Sequence, residues 1–177
     1  MSLLFPRASS FPACHASTVA ELPDGRLLVA FFAGTRERDP DTAIWMVTGD
    51  GKRWERPRQV FKINELPHWN PVLFVAPDGT LHSWFKTGPD CKRWVSWHAL
   101  SKDGGESWSE PQPFQHGDLP RGPVRCPPII ATDGAWLAPS AAGSIPTHRT
   151  THRGPESPPA PGPLRSKDRR PPRLPAA

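Results

Sequence analysis

One eight-residue stretch, SKDGGESW beginning at Ser101, constrains the fold more than any other part of the sequence. It follows the pattern S-x-D-x-G-x-x-W. The Ser101 hydroxyl and the Asp103 carboxylate can accept hydrogen bonds from backbone amides a few positions ahead, which closes a tight turn. Gly104 and Gly105 supply positive-φ positions that a Cβ would resist, and Trp108 can fold back over the turn. The stretch predicts a structural hairpin between two outer strands of a sheet.

The turn signals of the sequence recur at one spacing. A shorter copy of the turn, DGKRW, ends at Trp54, which is 54 residues before Trp108. The tripeptide Pro-Asp-Gly at 23–25 recurs 54 residues later at 77–79, and an Asp-Gly pair follows at 133–134. An internal repeat of roughly 40–55 residues, with several short strands in each unit, is typical of β-propeller blades.

We therefore predict an all-β fold, an incomplete β-propeller with two four-stranded blades and part of a third. The apolar run RLLVAFFAG at 26–34 predicts a strand that is buried on both faces. Because propellers close with roughly 4–8 blades, we expect a fragment, an open wedge of blades or one part of an assembly. The predicted organisation is a flexible lead-in at 1–10, blade 1 at 11–66, blade 2 at 67–122, a partial blade 3 at 123–143 and a disordered tail at 144–177.

The net charge of +5 comes entirely from the predicted tail. Residues 144–177 contain seven Lys or Arg and two acidic residues, whereas residues 1–143 contain 15 of each sign. The balanced charge of the predicted blades disfavours nucleic-acid binding by the folded part. The Pro- and Arg-rich tail contains too few apolar residues to offset the entropy of ordering it. Two origins of the tail stay open: a natural low-complexity segment, or an out-of-frame reading of a GC-rich gene.

The three cysteines, Cys14, Cys91 and Cys126, are scattered and odd in number, which favours free thiols in a reducing compartment. Their spacing indicates no zinc site, and we expect no metal or other cofactor. The first twelve residues lack the pattern of a secretory signal, and no apolar run approaches the roughly 18 residues that span a membrane. We therefore expect a cytoplasmic protein that does not contact a membrane.

Together these motifs resemble the sialidase (neuraminidase) superfamily, in the N-terminal portion of its BNR or Asp-box repeat domain. The resemblance covers about residues 11–143. The turn at 101–108 carries it, together with three phrases: CHAS at 14–17, PDGRLLVAFFAGTRE at 23–37 and HWNPVLF at 68–74. In this resemblance Ser101, Asp103, Gly105 and Trp108 are the structural residues of the Asp-box.

The resemblance implies roles for two residues of the loop that follows the apolar strand. Arg36 is a candidate for substrate binding and Asp41 for the general acid/base. An arginine fork can hold a carboxylate, and a carboxyl group can protonate a leaving oxygen if its pKa is raised. The alternative is that this charged loop is solvated and its surface ion pairs contribute little.

Five further residues are candidates for substrate binding. His15 occupies the place where the family has its first carboxylate-binding arginine; the alternative is a structural hydrogen bond at the start of a strand. Trp69 can stack on a sugar ring, or it can pack between blades, and Asn70 can bond sugar hydroxyls. Lys86 ends the second strand of blade 2, and Arg125 precedes blade 3 at an equivalent place.

The resemblance implies the N-terminal part of an exo-sialidase-type glycoside hydrolase. Sialidases use a tyrosine nucleophile, and the 177 residues contain no tyrosine. We therefore expect this chain alone to be inactive, with a glycan or sialoside-like small sugar as its ligand. The alternatives are a non-catalytic glycan-binding or scaffold propeller module, and a non-functional truncated product.

Overall fold

The computed structural model describes residues 11–115 and 122–140. In these ranges the secondary structure consists of strands joined by turns. The strands are β1 (Ala13–Glu21), β2 (Leu27–Gly34), β3 (Ala43–Gly49), β4 (Arg58–Phe61), β5 (His68–Val75), β6 (Leu81–Thr87), β7 (Val95–Ser101), β8 (Gln112–Pro113), β9 (Ile129–Ile130) and β10 (Trp136–Leu137).

Eight of these strands form two antiparallel sheets of the same topology. Blade 1 has the order β1-β2-β3-β4, blade 2 has the order β5-β6-β7-β8, and β9 pairs with β10 in a separate two-stranded sheet. Each sheet runs in chain order because each strand is joined to the next by a short connection. The prediction of an all-β, incomplete propeller is confirmed. The predicted lead-in at 1–10 and tail at 144–177 lie outside the described residues, and the blade boundaries at 66/67 and 122/123 stay predictions.

The repeated Asp-Gly signals form three equivalent turns. In each turn the aspartate Oδ1 accepts a hydrogen bond from the backbone amide two residues ahead, at 2.9–3.0 Å, and the following glycine has φ +82°. The aspartates are Asp24, Asp78 and Asp133, and the glycines are Gly25, Gly79 and Gly134. The sequence repeat is therefore a repeat of backbone geometry.

The main core lies between the two blades. One face of blade 1 packs against one face of blade 2, and both faces consist of buried apolar side chains: Leu28, Ala30, Phe32, Ile44, Met46 and Phe61 from blade 1, with Trp69, Leu73, Leu81, Phe85 and Ala99 from blade 2. The opposite face of β2 is also buried and belongs to a second apolar cluster, with Val29, Phe31 and Ala33 beside Val47. The prediction that this strand is buried on both faces is confirmed.

The turn at 101–108 is held by its own polar groups. Ser101 Oγ accepts from the Gly105 amide at 2.9 Å, and Asp103 Oδ1 accepts from the Ser107 amide at 2.9 Å. Trp108 Nε1 donates to the Gly105 carbonyl at 3.1 Å. The hydroxyl and amide of Ser107, followed by the Ser101 hydroxyl, lower the pKa of Asp103 to about 2. The carboxylate therefore closes the turn in its ionised form.

The same turn fastens blade 2 to blade 1. The ring of Trp108 lies edge-on against Phe61 of β4, with centroids 5.6 Å apart. The Arg58 guanidinium, also from β4, donates to the Gly105 carbonyl. The shorter copy in blade 1 uses a tighter geometry, in which Asp50 Oδ1 accepts from the amides two and three residues ahead and Gly49 bridges to Trp54.

The first strand of each blade carries a bulge at the same place. The pairing register shifts in the middle of β1 and again in the middle of β5. Ala16 has φ 51° and Asn70, 54 positions later, has φ 41°, both in the left-handed region. Asparagine tolerates this conformation, whereas in alanine it costs roughly 1–2 kcal/mol. The surrounding fold therefore imposes the bulge on β1.

Strands β8 and β9 comprise only two residues each: β8 is Gln112–Pro113 and β9 is Ile129–Ile130. Prolines in and beside these strands explain their shortness, because Pro111, Pro113, Pro127 and Pro128 have no N–H to donate to a ladder.

Candidate functional site

Most of the candidate residues lie at one end of the two sheets, which we call the site end. There β1 begins beside the end of β2, with Ala13 opposite Gly34, and β5 begins beside the end of β6, with His68 opposite Thr87. The loop from 35 to 42 connects β2 to β3 at this end. Gly34 allows the loop to fold back closely, because a Cβ at that position would lie 2.9 Å from Asp41 Oδ1.

The loop from 35 to 42 is organised by hydrogen bonds of its own. Thr35 donates to Asp41 Oδ2 twice, from its hydroxyl at 2.6 Å and from its amide at 2.9 Å. Arg36 pairs with Asp39 at 3.1 Å, and its side chain remains 80% exposed. The two predicted catalytic-loop residues therefore have different surroundings: Asp41 is anchored, whereas Arg36 extends into solvent.

The hydrogen bonds from Thr35 determine the ionisation of Asp41. The hydroxyl contributes most and the amide next, and together they lower the pKa of the carboxyl below its usual value. A general acid at neutral pH needs the opposite shift. In this geometry Asp41 is an ionised acceptor, which suits a base or a binding group, and the acid role stays a prediction.

Asp41 lies in a cleft of about 700 Å³ on the side of blade 1 that faces away from blade 2. We call it the Asp41 cleft. Its apolar wall includes the rings of Phe11 and Trp45, whose centroids are 4.9 Å apart. Its polar groups come from Thr35, Asp41, Arg56 and Gln59. A concave site with aromatic surface and a few convergent polar groups is typical of small-molecule binding sites.

Two predicted binding residues are buried and used in packing. Trp69 is 4% exposed, its Nε1 donates to the Gly88 carbonyl at 2.7 Å, and its ring lies edge-on against Phe32 at 5.5 Å. Lys86 is 0% exposed and its Nζ donates to the Pro123 carbonyl at 2.8 Å. Trp69 therefore has the contacts of the alternative interpretation, in which it packs between blades. Lys86 ties blade 2 to the segment that leads to β9.

The other three candidates lie outside the Asp41 cleft. His15 is exposed and its ring lies 5.5 Å from that of Phe32. Asn70 is half-buried in the bulge of β5, and Arg125 is exposed in the segment before β9. The cleft thus brings Asp41 together with residues that sequence reasoning did not single out.

Of those unforeseen residues, Thr35 had a local signal and the others had none. Thr35 follows the end of the apolar strand directly, where a hydroxyl can reach into the next loop. Arg56 and Gln59 reach the cleft only because β4 pairs with β3, where Trp45 is opposite Gln59. Nothing in their own sequence neighbourhood indicates a binding site.

Three other observations bear on the chemistry of the described residues. Cys14, Cys91 and Cys126 are all free and exposed. No group of three or more His, Cys, Asp or Glu side chains with metal-binding geometry occurs in 11–115 or 122–140. Over the same ranges there is no helix with the length and hydropathy needed to cross a membrane.

Comparison with known proteins identifies one family. Residues 25–155 match the sequence model of the BNR repeat-like domain, a match that extends beyond residue 143. No curated protein matches the sequence.

Solved structures share the fold over part of their length. A Dyadobacter fermentans protein of unknown function matches with a TM-score of 0.57 and 19% identity, over 70% of this chain and 45% of that one. The Hadza microbial sialidase Hz136 matches with a TM-score of 0.57 and 19% identity, over 70% of this chain and 31% of the sialidase. A Penicillium chrysogenum alpha-L-arabinanase, solved with arabinobiose, matches with a TM-score of 0.47 and 19% identity, over 69% of this chain and 39% of the arabinanase. This structural similarity is too low to support a conclusion about fold or function. This chain spans less than half of each structure.

Proposed function

This chain belongs to the family of BNR repeat-like domains, and from that premise we propose that it supplies a glycan-recognition site in a sialidase-type propeller. The observation that carries the proposal is the ionised carboxylate of Asp41 in a cleft that also holds an aromatic wall. The ligand class is a terminal sugar, neutral or acidic.

The polar groups of the Asp41 cleft suit the functional groups of a sugar. One oxygen of Asp41 is used by Thr35, and the other is a strong acceptor for a sugar hydroxyl. Arg56, at the same cleft, is a planar donor that can pair with the carboxylate of an acidic sugar. The Trp45 ring supplies apolar surface of the kind on which a sugar face packs.

A second candidate function is hydrolysis, in which this chain forms part of an exo-sialidase-type active site. The position of Asp41 after the apolar strand supports it by resemblance. The covalent step of sialidases needs a tyrosine, and this sequence contains none. We therefore propose recognition for this chain, and hydrolysis only for an assembly that supplies the nucleophile.

The test is calorimetric binding of sialyllactose and lactose to the 177-residue chain. We expect binding that weakens at least tenfold in Asp41→Asn, because the neutral amide is a poorer acceptor and presents a donor. Glu37→Gln is the matched control, since Glu37 is an exposed acid of the same loop that does not line the cleft. The proposal is contradicted if neither sugar binds, or if Asp41→Asn and Glu37→Gln weaken binding equally.

A fluorogenic sialoside separates recognition from catalysis. We expect no turnover by the purified chain. Turnover that disappears in Asp41→Asn would replace the recognition proposal with hydrolysis by this chain itself. Aggregation on size-exclusion chromatography, together with neither sugar binding nor turnover, would favour the interpretation that the chain is a non-functional truncated product.

A further inference from the structure

Two histidines form a hydrogen-bonded pair on the face of blade 2 that points away from blade 1. His82 of β6 and His98 of β7 place Nδ1 and Nε2 3.0 Å apart, with ring centroids 5.1 Å apart. The contact does not involve the Asp41 cleft or the core between the blades. It lies where blade 2 meets the β9–β10 hairpin, because Trp136 of β10 sits edge-on to His82 at 4.9 Å.

The pair is enclosed by aromatic rings. Trp84 stacks on both imidazoles, at 5.5 Å from His82 and 4.9 Å from His98. Phe114 lies edge-on to His98 at 5.7 Å, and Phe74 contacts both His82, at 6.3 Å, and Trp136, at 4.8 Å. The two imidazoles therefore take part in the packing of β10 and of Phe114 onto blade 2, beside the direct contacts of Trp136 with Phe74 and of Phe114 with Trp84.

A hydrogen bond between two imidazole nitrogens needs one donor and one acceptor, so at least one ring is neutral. If both rings are protonated, two N–H groups face each other at 3.0 Å and two like charges share an apolar enclosure. Burial lowers the pKa of His82, and burial followed by the charge of His82 lowers the pKa of His98 to about 4. The folded contact thus favours the neutral pair and loses stability as pH falls from about 6.5 towards 4.

Few charges on this face of blade 2 oppose the loss of stability that protonation of the pair causes. Asp78, in the turn before β6, is the charge that favours protonation of His82. Lys86 lies further along β6, where alternation puts it on the same face. Across the ladders, β5 presents Phe74 opposite His82, β7 presents Leu100 opposite His82, and β8 presents the uncharged Gln112 opposite His98.

We propose that the His82–His98 pair is an acid-sensitive contact. Its protonation releases the β9–β10 hairpin and Phe114, which follows β8, from blade 2. The core between the blades stays packed. The inference is independent of the proposed glycan site, because it concerns the opposite face of the neighbouring blade.

The test uses the full chain labelled with 5-fluorotryptophan and followed by fluorine NMR between pH 7.5 and 4.5. We expect the Trp136 resonance to move towards its chemical shift in unfolded protein. The resonance of Trp69, in the core between the blades, should keep its folded chemical shift. In His98→Gln the Trp136 transition should vanish or shift by at least one pH unit, because glutamine fills the site without titrating. His15→Gln, which changes an exposed histidine outside the cluster, should retain the wild-type profile.

The imidazoles of the unmodified chain give an independent check by nitrogen-15 NMR. We expect His82 and His98 to take up protons over the same pH range in which Trp136 moves. The proposal is overturned if Trp136 and Trp69 change together, if His98→Gln keeps the wild-type midpoint while remaining folded, or if Trp136 moves while both imidazoles are neutral.

Discussion

Thr35 donates two hydrogen bonds to one oxygen of Asp41, from its hydroxyl at 2.6 Å and its amide at 2.9 Å. The two residues lie at opposite ends of the loop from 35 to 42, so this contact closes the loop over the end of β2. It also keeps Asp41 ionised, since both donors stabilise the charged form. The loop geometry and the chemistry of the cleft therefore depend on the same pair.

Removing the Thr35 hydroxyl should raise the pKa of Asp41. We expect Thr35→Val to move the carboxyl towards its ordinary value, because the largest of the lowering contacts is lost, whereas Thr35→Ser should preserve the low value. Carbon-13 NMR of the Asp41 carboxyl as a function of pH measures both. The lowered pKa stabilises the loop above the usual carboxyl range, and this contribution disappears as pH falls through the lowered value. An unchanged titration in Thr35→Val would show that the hydroxyl does not control Asp41.

Trp69 should prove to be a packing residue. We expect Trp69→Ala to lower the free energy of unfolding by about 3–5 kcal/mol, as for other buried aromatic truncations. Trp69→Phe keeps a ring but loses the donor to the Gly88 carbonyl and should cost about 1–2 kcal/mol. Urea unfolding followed by circular dichroism gives both values. A cost below about 1 kcal/mol for the alanine variant would argue that the ring is free for ligand.

Two glycines with similar φ offer a matched test of the contact between blades. Gly25 has φ +82° and a Cβ there would meet nothing within 4 Å, whereas at Gly105, with φ +88°, a Cβ would lie 2.9 Å from Leu28 Cδ2. Both alanine variants carry backbone strain, but Gly105→Ala also crowds blade 1. We expect it to cost about 1–3 kcal/mol more than Gly25→Ala in urea unfolding. Equal costs would mean that the turn at 101–108 does not fasten the blades.

Buried His68 should make the global free energy of unfolding sensitive to acid. Its Nδ1 donates to the Leu66 carbonyl at 2.9 Å and its Nε2 accepts from the Ile63 amide at 3.0 Å, so the ring is neutral. Burial lowers its pKa from 6.5 to about 4. Its contribution, at most about 3 kcal/mol, is present above pH 6.5 and is lost as pH falls towards 4.

The measurement for His68 is the free energy of unfolding at a series of pH values. We expect a shallower decline below pH 6.5 in His68→Asn than in wild type, and an unaltered decline in His15→Asn, since His15 is exposed. A decline of equal slope in all three proteins would place the acid-sensitive group elsewhere.

Arg36 allows a binding role to be tested without a stability effect. Its side chain is 80% exposed and its ion pair is with Asp39 of the same loop, so Arg36→Gln should change the free energy of unfolding by less than about 0.5 kcal/mol. If sialyllactose binding nevertheless weakens in calorimetry, Arg36 contacts the sugar. Unchanged affinity would leave it as a solvated loop residue.

The blades could be predicted because their signals are local. The apolar run that predicted a strand at 26–34 is β2 (Leu27–Gly34), and the three Asp-Gly turns adopt one geometry. Strand alternation, turn chemistry and glycine at positive φ depend on residues within a few positions of each other. The bulge at Ala16 had no such signal, because alanine does not prefer the conformation that the fold imposes on it.

The candidate site was less predictable, since its chemistry depends on contacts between distant segments. The sequence by itself determined the repeat, the strands and the position of Asp41 after an apolar strand. Only the tertiary structure decided that Trp69 and Lys86 are buried, that Arg56 and Gln59 line the cleft, and that His82 meets His98. Local preferences act along the chain, whereas burial, pKa and the free face of a ring are determined by whichever segments pack together in space.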